Sequence, residues 1–128
     1  MKELTKAEEQ IMQILWIKEK AFVKEIIAEL PDPKPAYNTV STIVRILESK
    51  GFVSHEAFGK THRYYPLARK EEYTHFFVNR LVKDYFDNSI QEMVSFFAQD
   101  QSVTLSELEE LLSLIQNQIE KKQDDQNE

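Results

Sequence analysis

"PAYNTVSTIVRILESKGFV", residues 35–53, reads as one helix whose outward face is almost free of charge, in a chain with 30% charged residues. Its apolar positions Ala36, Val40, Ile43, Val44 and Leu47 recur at helical spacing and define a buried stripe. The helix is expected over 36–50 and is closed by Gly51, placed where a left-handed C′ residue is wanted. This stripe turns Asn38, Ser41, Thr42, Arg45 and Ser49 toward solvent, with Tyr37 and Thr39 at the first turn. An ordinary exposed helix face favours Glu, Lys, Gln and Ala, because Ser, Thr and Asn are poorer helix formers. Short hydroxyl and amide side chains, however, let a helix sit deep in a major groove, and an arginine can fork to guanine. No carboxylate that phosphates would repel occurs from Ala36 to Leu47.

Working outward, Thr5 with Glu8 forms a capping-box signature, and Ala7, Ile11, Ile14, Leu15 and Lys18 follow a helical period, which predicts a first helix over 5–18. A second helix over 22–30 carries Val23, Ile26, Ile27 and Leu30 and is stopped by the prolines of "LPDPKP". After Gly51, "FVSHEAF" alternates as a strand, Gly59-Lys60 makes a hairpin turn, and "THRYY" returns to Pro66. The tip carries Lys60, Thr61, His62 and Arg63, where a wing would lie on adjacent backbone; Lys50, at the end of the third helix, is a further candidate for phosphate. Helix-turn-helix followed by a basic hairpin reads as a winged helix over residues 1–69.

Residues 70–122 read as three helices that form a dimerisation region. Tyr73, Phe77, Leu81 and Tyr85 share a face of the first, Ser89 with Glu92 caps the second, and Thr104 with Glu107 caps the third. Leu105, Leu108, Leu112, Ile115 and Ile119 fall at intervals of 3, 4, 3 and 4, a heptad seam. Phe77 and Leu81 join that seam as candidate dimer contacts. Residues 123–128 are polar and are expected to be disordered. The fold class is thus mostly α with a small β-hairpin, a winged helix-turn-helix followed by a helical dimerisation tail.

Charge divides along the same line. Residues 1–70 hold 12 Lys and Arg against 9 Asp and Glu, a net of +3, whereas residues 71–128 hold 4 against 13, a net of −9; together they give the chain's −6. The basic block sits at residues 34–70, with 7 basic against 2 acidic side chains. Double-stranded DNA is the partner this asymmetry favours.

Zero cysteines excludes disulfides and thiolate metal sites, no apolar run approaches a membrane span, and the N-terminus lacks a signal-peptide core, so a cytoplasmic location is expected. No cofactor and no catalytic site are expected. Glu72 and His75 have the i, i+3 spacing of di-iron carboxylate bundles, but such sites need two motifs and two further glutamates; His75 is read as a surface residue.

"LTKAEEQIMQILW" (4–16), "YNTVSTIVRILESKGFV" (37–53) and "GKTHRYYPL" (59–67) together resemble the penicillinase-repressor (BlaI/MecI/CopY) family of winged-helix repressors, over essentially the whole chain. The resemblance implies a homodimer on an inverted repeat in a promoter, released by an inducing signal. It also implies a recognition-helix role for Asn38, Thr39, Ser41, Thr42 and Arg45, a wing role for Lys60 to Arg63, and a core Trp16. The copper-responsive branch ends in a cysteine-rich motif that is absent here. The β-lactam-responsive branch is cut by a regulatory protease at an Asn-Phe bond; the corresponding place here reads Phe96-Phe97, a bond expected to be protected in the folded dimer, where Phe97 shares a face with Ile90, Met93 and Val94. The competing reading is a winged-helix protein-interaction module without sequence-specific DNA readout.

Overall fold

A computed structural model describes residues 1–127. The elements run α1 (Lys6–Lys18), β1 (Ala21–Phe22), α2 (Val23–Glu29), α3 (Tyr37–Ser49), β2 (Val53–Phe58), β3 (Thr61–Pro66), α4 (Lys70–Phe86), α5 (Ile90–Gln99) and α6 (Leu105–Gln126). The chain divides into two compact units, Met1–Asn79 and Arg80–Glu128, and the division falls inside α4.

The start of α4 belongs to the first unit because of Tyr73. Its ring lies 5.8 Å from that of Phe52 and 6.2 Å from that of Trp16, and its hydroxyl accepts the Leu4 N–H at 2.9 Å. Trp16 is part of this packing, and its indole N–H donates to the Ala68 carbonyl at 2.8 Å. Around these rings the core gathers Ile11, Met12 and Leu15 from α1, Ile26 from α2, Val40, Val44 and Leu47 from α3, and Val53 and Tyr64 from the sheet.

The sheet has three antiparallel strands in the order β1-β3-β2, so the winged unit carries one strand more than the expected hairpin. β1 is two residues long, pairing Ala21 with Tyr64 and Phe22 with Arg63. A strand that short has no period of its own; its partner across the fold creates it. The β2–β3 hairpin turns at Gly59-Lys60, with Gly59 at φ +63 in the left-handed region that glycine tolerates.

Both ends of α3 follow local rules. Its C-terminus closes in a Schellman motif: the Phe52 N–H reaches the Leu47 carbonyl at 2.9 Å, the Gly51 N–H reaches that of Glu48 at 3.0 Å, and Gly51 sits at φ +84. The helix starts at Tyr37, leaving Ala36 as an exposed N-cap outside the buried stripe. On α1, Thr5 and Glu8 form the expected capping box, but the carboxyl goes further than a cap. Glu8 is buried, and its Oε1 accepts both the Thr5 N–H and Lys50 Nζ, each at 2.8 Å. Burial alone would raise the Glu8 carboxyl; the hydrogen bonds from Lys50 and Thr5 and the lysine's charge outweigh it and hold the group below its ordinary value.

The second unit has a different character. Asp87 and Asn88, at φ +50 and +64, turn the chain out of α4, and Ser89 Oγ then caps α5 by accepting the Glu92 N–H at 3.1 Å. Thr104 and Glu107 form a full capping box on α6. Neither α5 nor α6 has a buried residue. α6 continues through Gln126, because a capped helix, once nucleated, propagates through Glu, Lys and Gln at little cost. Among the described residues no helix is long and apolar enough to cross a membrane.

Removing Lys50 leaves a buried carboxylate with only its Thr5 bonds, so Lys50→Met should lower the stability of the winged unit by about 1–3 kcal/mol, read by thermal or urea melting. Because the folded-state value of Glu8 is depressed, its contribution is present above the ordinary value of 4.5 and disappears as pH falls through the lower folded value. The difference in melting temperature between the native chain and Glu8→Gln should therefore be full at neutral pH and shrink on acidification.

Candidate nucleic-acid interface

With Val40, Val44 and Leu47 buried, α3 presents Asn38, Thr39, Thr42, Arg45 and Ser49 as exposed residues, and Tyr37 is 45% exposed at its first turn. Ser41 departs from the expectation: it is half-buried, because it stands three residues before Val44 on the flank of the buried stripe. Ile46 takes its place on the outward face at 44% exposure. Sequence reading passed over Ile46 because an isoleucine beside Val44 and Leu47 looks like core; its offset of four from Thr42 is the signal that puts it outside.

Thr42 donates its hydroxyl back to the Asn38 carbonyl at 2.8 Å. Arg45 is exposed on α3, and its charge acts on the Tyr64 phenol. Burial pushes that phenol above its ordinary range and Glu48 adds to the effect, while the Arg45 guanidinium acts the other way. Glu48, the acid nearest this face, is itself engaged: its Oε2 lies 2.6 Å from His55 Nδ1.

The hairpin sorts its cations onto two faces. On one, His55 and His62 stack with ring centroids 4.0 Å apart, next to Tyr64. On the other, Arg63 lies opposite Glu56, with Nη2 3.5 Å from that carboxylate and its guanidinium carbon 4.8 Å from the centroid of the Phe58 ring, which in turn meets Phe22 edge-on. Thr61 closes the turn by donating its hydroxyl to the Phe58 carbonyl at 2.9 Å.

Three candidate contacts are therefore placed differently from the sequence expectation. The Lys50 ammonium is paired with Glu8, Arg63 is half-buried and held by Glu56 and Phe58, and Thr61 has its hydroxyl proton committed to the turn. The cause is the same each time: a partner distant in sequence, or a turn carbonyl, has claimed the polar group. Lys60 is exposed at the hairpin tip and has no ion pair among the described residues.

Elsewhere, His75 lies 3.9 Å from Glu71 with both side chains more than three-quarters exposed, and no group of three or more metal-ligating side chains occurs among the described residues. In the second unit, Met93, Val94, Phe97, Ala98, Leu108, Leu111, Leu112 and Ile115 line an apolar groove of about 390 Å³ between α5 and α6. Leu105, Leu112, Ile115 and Ile119 are 44–73% exposed and Phe77 is 43% exposed, while Leu81 and Leu108 are half-buried. Phe97 is 50% exposed within a single chain, and Phe96 turns instead toward Phe86, ring to ring at 5.7 Å. Val94 and Ile90, on the same helix, are likewise exposed in the single chain.

Against known proteins, the family profile described as "Penicillinase repressor" matches residues 4–117. The chain is 25% identical over 114 residues to the methicillin resistance regulatory protein MecI of Staphylococcus aureus (strain N315), covering 88% of this chain and 93% of that protein. It is 23% identical over 127 residues to the penicillinase repressor of Bacillus licheniformis, covering 95% and 96% respectively. Among solved structures, a chain from the hsRosR-S4 complex shares the fold with a TM-score of 0.56 at 15% identity, over 94% of this chain and 93% of that one. A profile match over nearly the full length, on a three-helix and three-strand unit with an outward-facing third helix, is decisive: the chain belongs to the penicillinase-repressor family of transcriptional repressors.

Proposed function

We propose that the chain is a sequence-specific DNA-binding repressor that acts as a homodimer on an inverted-repeat operator and leaves it on an inducing signal. The observation that carries the reading is the outward face of α3: Asn38, Thr39, Thr42, Arg45 and Ser49 exposed together, with no carboxylate among them and the nearest one held by His55. In this reading α3 enters the major groove, and Lys60 at the wing tip meets phosphate.

Dimerisation through the second unit is supported by its lack of closure. Leu105, Leu112, Ile115 and Ile119 leave large apolar surfaces in water that a second copy would cover, each buried side chain contributing about 1.5–3 kcal/mol before the entropic cost of association. The net charge of −9 in residues 71–128 keeps this region off the phosphates, so it assists binding only by pairing two winged units. A cut between Phe96 and Phe97 would separate α6 from the winged unit and release the operator, with a regulatory protease as the partner.

Arg45→Ala should weaken operator binding by about 1–3 kcal/mol and relax preference at one base pair per half-site, whereas Lys60→Ala should weaken all sequences alike and flatten the salt dependence. Equal losses on operator and random DNA for Arg45→Ala would refute base readout by α3. Binding that ignores ionic strength would point to a protein partner instead of DNA.

Leu112→Asp should convert dimers to monomers in sedimentation and, by removing bivalency, lower operator affinity roughly a hundredfold or more. Residues 1–96 expressed alone should show the same loss. A Leu112→Asp chain that still sediments as a dimer would exclude this seam as the interface.

A further inference from the structure

Ile46 is a large apolar side chain on a helix face that is otherwise hydroxyl, amide and guanidinium. It is 44% exposed, and the core is complete without it: Val40, Val44 and Leu47 are each 1% exposed or less on the opposite side of α3. Helix propensity does not favour it, since a β-branched residue at an exposed position is a poorer choice than Leu, Lys or Glu. Its neighbour one turn earlier is Thr42, whose hydroxyl proton is committed to the Asn38 carbonyl. Outward, Thr42 therefore offers a methyl and an acceptor oxygen but no free donor. Thr39 stands a further turn back, so positions 39, 42 and 46 form one column of methyl-bearing side chains along one flank of the face. Arg45 lies to one side of it.

We propose that Ile46, with the Thr42 methyl behind it, reads the 5-methyl group of a thymine in the major groove. The chemistry is specific to that base: thymine alone presents a methyl on the groove floor, and an apolar side chain recognises it by excluding water from both surfaces. A cytosine at the same place would put its amino donor against a branched alkyl group with nothing to accept it. The inference rests on α3 being the element that enters the groove, and it assigns the apolar part of the readout that the hydrogen-bonding side chains cannot perform.

The test uses the full chain and the duplex it selects from a random-sequence DNA pool. Each thymine in one half-site is replaced singly by deoxyuridine, which removes the methyl and leaves base pairing intact. The native chain should lose about threefold to tenfold in affinity at one position. Ile46→Ala should bind thymine and deoxyuridine duplexes equally, with an affinity near that of the native chain for the deoxyuridine duplex; Arg45→Ala should retain the methyl sensitivity. Thermal melting of Ile46→Ala should stay close to that of the native chain, as the residue lies outside the buried core. Sequence selection without any deoxyuridine effect would overturn the methyl readout and leave the proposed function standing. A deoxyuridine effect that persists in Ile46→Ala would overturn the assignment to Ile46. Failure of the native chain to select any sequence would overturn both.

Discussion

A carboxylate buried at the start of α1 holds the far end of α3. Glu8 closes its own helix through Thr5 and, with the same oxygen, receives the Lys50 ammonium at 2.8 Å from 42 residues away. Such a group is expensive to desolvate, and its removal from water is compensated only while each of these donors is present. The consequence is positional: α3 enters the core at Val40, Val44 and Leu47, and its C-terminus is fixed twice, by the Schellman turn and by the ion pair. A helix anchored this way presents its outward face at a defined angle, a requirement for reading base edges.

The two units solve the burial problem differently. The winged unit is self-sufficient, with Leu15, Ile26, Val44 and Leu47 fully buried and the Trp16, Phe52 and Tyr73 rings packed among them. The second unit exposes apolar side chains along both α5 and α6, and its helices are held by local devices: the Ser89 and Thr104 caps and the Phe86–Phe96 contact. Local caps contribute on the order of 1 kcal/mol each, far less than a core does. Apolar surface left in water in this way would be stabilised by whatever covers it.

Within the wing, cations are divided between holding the hairpin and remaining available. Arg63 spends its charge on Glu56 and its flat face on Phe58, and the His55–His62 stack joins the strands on the opposite side with Glu48 attached. The hairpin tip is thereby stiffened at the expense of free positive charge, leaving Lys60 exposed at the turn. A chain with a net charge of −6 can present a basic surface only locally, so the placement of a few side chains matters more than their number.

The sequence by itself determined whatever depends on neighbours along the chain. The helix boundaries follow from Thr5–Glu8, Ser89 and Thr104–Glu107 at one end and Gly51 at the other; the hairpin follows from Gly59-Lys60, and the outward face of α3 from the period of Val40, Val44 and Leu47. Family membership was legible for the same reason, in three contiguous stretches. Tertiary structure decided what depends on residues far apart. β1 exists only because Tyr64 and Arg63 pair with it; Lys50 and Arg63 are ion-paired because Glu8 and Glu56 face them; α4 begins in the winged unit because the Tyr73 hydroxyl meets the Leu4 backbone, 69 residues away. Ile46 lay between these cases: its spacing from Thr42 was in the sequence, but its exposure was settled only by how completely Val40, Val44 and Leu47 filled the core beneath it. Short-range periodicity fixes which face of an element is apolar, whereas the assignment of each polar group to structure or to a partner requires knowing what stands across from it.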